Sequence, residues 1–134
     1  MPRDVPENVL IAIVDDDASI RRAMERLMRA VGYRVVSYAS GADFLDSLNH
    51  NQPACVVMDL HMTGVNRFDL VPRLQIGSRR IPLIVVTADD SPQLPADVIA
   101  LGATVCLNKP VDDTVLFDAI SVALQTIQVA SHRA

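Results

Sequence analysis

Four short apolar runs constrain this chain most: residues 9–14 (VLIAIV), 54–58 (ACVVM), 83–86 (LIVV) and 103–107 (ATVCL). Each is continuous rather than alternating, and Val and Ile dominate them. A strand with one wet face alternates apolar and polar side chains, whereas a strand covered on both faces does not. The runs therefore predict strands in the interior of a parallel sheet with helices on both sides. A fifth segment, 34–38 (RVVSY), is more amphipathic and suits a sheet edge.

Helical periodicity fills the gaps. Ile20, Ala23, Met24, Leu27, Met28 and Val31 recur at three- and four-residue steps, one apolar stripe of an amphipathic helix, and Gly32 just beyond suits its C-cap. Ser40 followed by Asp43 resembles a capping box, opening a helix through Phe44, Leu45 and Leu48. Val115, Leu116, Ala119, Ile120, Ala123, Leu124 and Ile127 form a last stripe, with Asp112 or Asp113 placed to complement its N-terminal dipole. Two weaker helices are expected at about 67–76, where Pro72 should shorten or bend the helix, and at about 92–101, with Pro95 near the start.

Strand and helix alternate about five times, which argues for an α/β fold. Right-handed crossovers leave few arrangements of five parallel strands, and the commonest at this size is the flavodoxin-like, doubly wound sheet of order 2-1-3-4-5. Ligands in such sheets gather at the strand C-terminal ends, beside the switch point between the first and third strands.

Length and charge narrow the remaining classes. The 134 residues fit one domain, and a chain that is half hydrophobic can bury a core without staples. Residues 1–7 read as an N-terminal extension, 8–130 as the domain, and 131–134 as a tail or linker stub. A net charge of −4 gives no electrostatic footprint for nucleic acid, so no direct nucleic-acid binding is expected. The N-terminus lacks a signal-peptide pattern, and no run approaches the ~18 apolar residues of a membrane span. A cytoplasmic chain without a membrane partner is expected. Cys55 and Cys106 lie in apolar runs and read as small buried hydrophobes. Two strand spacings separate them, roughly 9–10 Å, too far for a disulfide.

The chemistry sits where the strands end. The first runs into Asp15, Asp16 and Asp17, the third ends at Asp59, the fourth at Thr87, and the fifth is followed by Asn108, Lys109 and Pro110. With strands one and three adjacent, about 4.8 Å apart, Asp15, Asp16 and Asp59 crowd together. Carboxylates so placed repel and raise at least one pKa unless a cation offsets them. Hard oxygen donors favour Mg²⁺, and no histidine or thiolate is placed to favour zinc or copper. Lys109 adds a point charge suited to phosphate, and Thr87 a hydroxyl donor. Carboxylate nucleophile, metal, lysine and hydroxyl together make a phosphoryl-transfer site. Singly, each has a plainer role: Asp17 as a helix N-cap, Thr87 as a turn residue, Lys109 as a solvated cation. Jointly, at the ends of four strands, they favour the functional reading.

The motifs IVDDD (13–17), VVMDL (56–60), VVTA (85–88), LGA (101–103) and NKP (108–110) resemble, in residues and spacing, the receiver domain of two-component response regulators. The resemblance spans roughly residues 8–130. It implies that Asp59 is the phosphoacceptor and that Asp15 and Asp16, with Asp59 and the backbone carbonyl of His61, hold Mg²⁺ (or Mn²⁺). It implies that Thr87 and Lys109 contact phosphoryl oxygens, and that the Lys109–Pro110 bond is cis. The implied donor is a sensor histidine kinase or histidine phosphotransfer protein, the chain being a signalling phosphoacceptor rather than a turnover enzyme. Switching, and a homodimer, would run through the fourth helix (about 92–101), the fifth strand and the fifth helix.

Departures from the family pattern are equally specific. Thr63 stands where the loop after the acceptor usually has proline, Arg67 where it has glycine, and Cys106 where the family carries an aromatic switch residue. His61 and Asp89 occupy positions that vary within the family and bear on dephosphorylation. Two alternatives stay open: a pure interaction module no longer controlled by phosphate, and a Mg²⁺-dependent phosphohydrolase.

Overall fold

The structure, a computed structural model, describes residues 9–60 and 81–133. The expected helix at 67–76, the positions Thr63 and Arg67, the carbonyl of His61 and the extension 1–7 lie outside the described residues. Strand β1 (Leu10–Val14) leads to helix α1 (Ala18–Val31), then β2 (Arg34–Tyr38), α2 (Gly41–Ser47) and β3 (Cys55–Asp59). After residue 81 follow β4 (Leu83–Thr87), α3 (Leu94–Leu101), β5 (Val105–Asn108) and α4 (Asp113–Arg133). The expected fourth and fifth helices are thus α3 and α4.

All five strands pair in parallel in the order β2-β1-β3-β4-β5, as the apolar runs predict. Alternate residues of each strand enter opposite layers. Ala12, Val14, Val56, Met58, Leu83 and Val85 pack with Phe44 and Leu48 of the α2 region and with Leu94 and Val98 of α3. Ile11, Ile13, Cys55, Val57, Ile84 and Val86 pack on the other face with Met28 of α1 and with Leu116, Ile120 and Ala123 of α4. Helices therefore cover both faces, and the three central strands are buried throughout apart from half-buried Leu10 at the start of β1. Strand β2 is only half-buried, consistent with its edge position.

Capping explains where the helices start and stop. Asp17 Oδ1 accepts from the backbone N–H groups of Ser19 (2.9 Å) and Ile20 (3.1 Å), so it is the N-cap of α1. Ser40 Oγ accepts from Asp43 N–H at 3.1 Å and opens α2. Asp112 Oδ1 accepts from Thr114 N–H at 2.8 Å at the head of α4. Helix α1 ends at Gly32, whose φ of 110° needs the left-handed region, with Gly32 N–H on Arg29 O and Tyr33 N–H on Met28 O.

Gly102, φ 125°, closes α3 in the same way, with Ala103 N–H on Val98 O. This closure moves the start of β5 from the expected residue 103 to Val105: Ala103 is spent on the cap and Thr104 on the approach. Helix α4 runs to Arg133. Among the described residues no helix is long and apolar enough to cross a membrane.

Candidate functional site

The parallel register delivers the predicted residues to one edge of the sheet. Val14 pairs with Met58, Asp59 with Val86, and Thr87 with Asn108, so the residues following β1, β3, β4 and β5 emerge side by side. Asp15, Asp16 and Asp59 converge, each offering a carboxylate oxygen within 4.8 Å of the others. Lys109 Nζ lies 3.2 Å from Asp59 Oδ2 and 3.7 Å from Asp15 Oδ2. The Lys109–Pro110 bond is cis. Thr87 ends β4 beside Asn108 and is fully buried.

These groups differ sharply in exposure. Asp15 is 2 % exposed and Asp59 7 %, whereas Asp16 is open to solvent. Burial pushes the Asp15 carboxyl above its usual range. The N–H of Asp17 on Asp15 Oδ1 (2.9 Å) and the Lys109 ammonium oppose that shift, and the charges of Asp59 and Asp16 add to it. Among the described residues, one ammonium stands against three carboxylates in the cluster. An all-oxygen donor set, two members buried and one at the solvent boundary, fits a hard divalent cation that keeps some of its water.

Two neighbours hold the loops in place, and neither is predicted from sequence as a site residue. Arg21 Nη1 donates to the backbone carbonyl of Asp15 at 2.7 Å. A helical Cα–Cβ bond tilts toward the N-terminus, so a long side chain in the second turn of α1 reaches back over the loop that carries the acids. Asn108 Nδ2 donates to the backbone carbonyl of Asp89 at 2.9 Å, tying the end of β5 to the loop after β4. The signal for Arg21 was its position one turn beyond an N-cap aspartate; Asn108 is marked in the sequence by the NKP motif, which gives it no role of its own.

The cysteines take no part in this cluster. Both thiols are free. Burial pushes Cys55 up to about 12, and burial followed by the charge of Asp89 raises Cys106. Neither therefore favours the thiolate.

Comparison with known proteins decides the family. The model of the response regulator receiver domain matches residues 11–121. The chain belongs to the response regulator receiver domain family. It is similar to the transcriptional regulatory protein FixJ of Azorhizobium caulinodans, 29% identical over 120 residues that cover 90% of this chain and 57% of the relative. A response regulator receiver protein from Burkholderia phymatum superposes with a TM-score of 0.76 at 36% identity, covering 87% of this chain and 94% of that one.

A receiver domain protein from Clostridium thermocellum shares the fold at a TM-score of 0.84 and 21% identity, covering 91% and 98%. The chain thus spans somewhat more than half the length of its FixJ relative. Receivers are the signalling phosphoacceptors of two-component systems, phosphorylated by histidine kinases, with Mg²⁺ at their acidic pocket. The Asp15–Asp16–Asp59 cluster of this receiver fits that pocket.

Proposed function

We propose that this receiver takes a phosphoryl group onto Asp59 from a phosphohistidine donor, and that capture switches its contacts with partners. The observation that carries this is the convergence of Asp59 with Asp15, Asp16 and the Lys109 ammonium at the β3 end. A carboxylate oxygen of Asp59 attacks phosphorus; the new O–P bond forms as the P–N bond to the donor imidazole breaks, and its electron pair stays on the imidazole nitrogen. Lys109 offsets charge on the transferring oxygens, and Thr87 donates its hydroxyl proton to one of them. Mg²⁺ or Mn²⁺, held by Asp15, Asp16, Asp59 and the backbone carbonyl of His61, would supply the remaining positive charge. Water later cleaves the acyl phosphate, returning Asp59 to the carboxylate.

Incubation with Mg²⁺ and phosphoramidate should add the mass of one phosphoryl group, and Asp59→Asn should add none. No gain with the intact chain would favour a pure interaction module; turnover of many phosphomonoesters would favour a phosphohydrolase.

The donor's docking place is supported by an apolar groove of about 620 Å³ beside the site, between α1 and the head of α4. Ile20, Met24, Leu27, Val111 and Leu116 line it, and Lys109 joins it to the acid cluster. Ile20 is 36% exposed, large and apolar at the rim. A helical phosphohistidine protein laid in this groove would bring its imidazole to Asp59. Ile20→Asp is expected to slow transfer from a cognate kinase or phosphotransfer protein on the order of tenfold, while uptake from phosphoramidate is unchanged. Equal loss with both donors would assign Ile20 to the fold rather than to docking. Exposed Ile99 on α3 and exposed Val115 and Val122 on α4 support a second copy of the chain as a further partner, through α3, β5 and α4.

A further inference from the structure

Cys106, at the position where the family resemblance would put an aromatic residue, is small and half-buried against the core. The loop after β4 is nevertheless tied to β5 by a continuous polar chain. Asp89 N–H donates to Thr87 Oγ1 at 3.0 Å, and the carbonyl of the same residue accepts from Asn108 Nδ2 at 2.9 Å. Thr87 and Asn108 are register partners across β4 and β5, and Lys109 N–H donates to Thr87 O at 2.8 Å. The peptide groups on either side of Asp89 are therefore gripped between the Thr87 hydroxyl and the last side chain of β5.

We infer that Asn108 is a positioning residue that couples Thr87 to β5 through the backbone of Asp89. A hydroxyl has one proton to donate and two lone pairs that accept. Thr87 can thus give its proton to a phosphoryl oxygen on Asp59 while it keeps the N–H of Asp89. Any approach of Thr87 toward the phosphoryl group draws the Asp89 segment with it, and the amide of Asn108 passes that displacement to β5. Cys106 offers neither the bulk nor a strong donor to do the same. The inference rests on phosphoryl capture by Asp59 and adds how its effect leaves the site.

Asn108→Asp tests this with little change of shape, because the carboxylate keeps the outline of the amide but has no proton for the Asp89 carbonyl. Asn108→Ala removes the group altogether, and the exposed position makes both tolerable to the fold. Backbone amide NMR spectra are recorded with Mg²⁺, before and after beryllofluoride is added as a phosphoryl mimic. In the wild-type chain, amides around Asp59, Thr87 and Asp89 and along residues 105–108 should all shift.

In both variants the amides around Asp59 and Thr87 should still shift, while the shifts along residues 105–107 are lost. Uptake from phosphoramidate should be unchanged. Full retention of the β5 shifts would overturn the inference, as would their loss together with those at Asp59 and Thr87, which would make Asn108 a support of the site rather than a relay. A wild-type chain that does not respond to beryllofluoride would overturn the phosphoacceptor proposal, and the relay with it.

Discussion

Lys109→Met is expected to slow phosphoryl uptake from phosphoramidate by about 10²-fold, the usual cost of removing one positioned charge donor from a reacting centre. The ammonium stands 3.2 Å from Asp59 Oδ2, where charge on the incoming group must be offset. Its stem lines the apolar groove with Met24, Leu27 and Leu116, and methionine keeps that packing. The same substitution should strengthen Mg²⁺ binding, because it deletes the cation that competes for Asp15 and Asp59. Uptake rate by intact mass and Mg²⁺ affinity by titration therefore move in opposite directions. Parallel loss of both would mean that Lys109 organises the acids rather than the phosphoryl group.

Asp15→Asn should make the chelator-treated protein more stable and cost it most of its response to Mg²⁺. Burial and the neighbouring acids raise the Asp15 carboxyl above 3.8 despite the N–H of Asp17 and the Lys109 ammonium. A carboxyl raised in the folded state holds its proton there more tightly than in the unfolded chain. The folded state then binds more protons in the window above 3.8, and stability falls as pH rises through it. Asparagine carries no charge to bury and can still accept from Asp17 N–H. Melting curves without metal should show a higher midpoint for Asp15→Asn at neutral pH and a flatter profile from acid to neutral pH. Mg²⁺ at a hundred times its Kd would add about 2.7 kcal/mol to the wild type, and far less to the variant. A variant less stable than the wild type in chelator would show that the Lys109 contact outweighs burial.

Strand identity was legible because the central strands are covered on both sides. Residues 11–14 and 83–86 could only read as continuous apolar runs, and once the commonest sheet order was adopted, Asp15, Asp16, Asp59 and Lys109 fell at neighbouring strand ends. The start of β5 was less legible. Hydropathy cannot distinguish Ala103 closing a helix from Ala103 opening a strand, and only the left-handed turn at Gly102 separates them. Arg21 and Asn108 escaped because their partners are the backbone carbonyls of Asp15 and Asp89. Side-chain patterns announce side-chain partners; they say little about which carbonyl lies beneath a long or amide side chain.

The identity of the phosphorylated residue is the central matter, and borohydride trapping tests it most directly. The chain is treated with Mg²⁺ and phosphoramidate, reduced with borohydride, digested and mapped by mass spectrometry. An acyl phosphate on Asp59 would be reduced to homoserine at position 59, in wild type only and only with the metal present. Trapping at another residue, or equal trapping after chelation, would contradict a metal-assisted Asp59 acceptor.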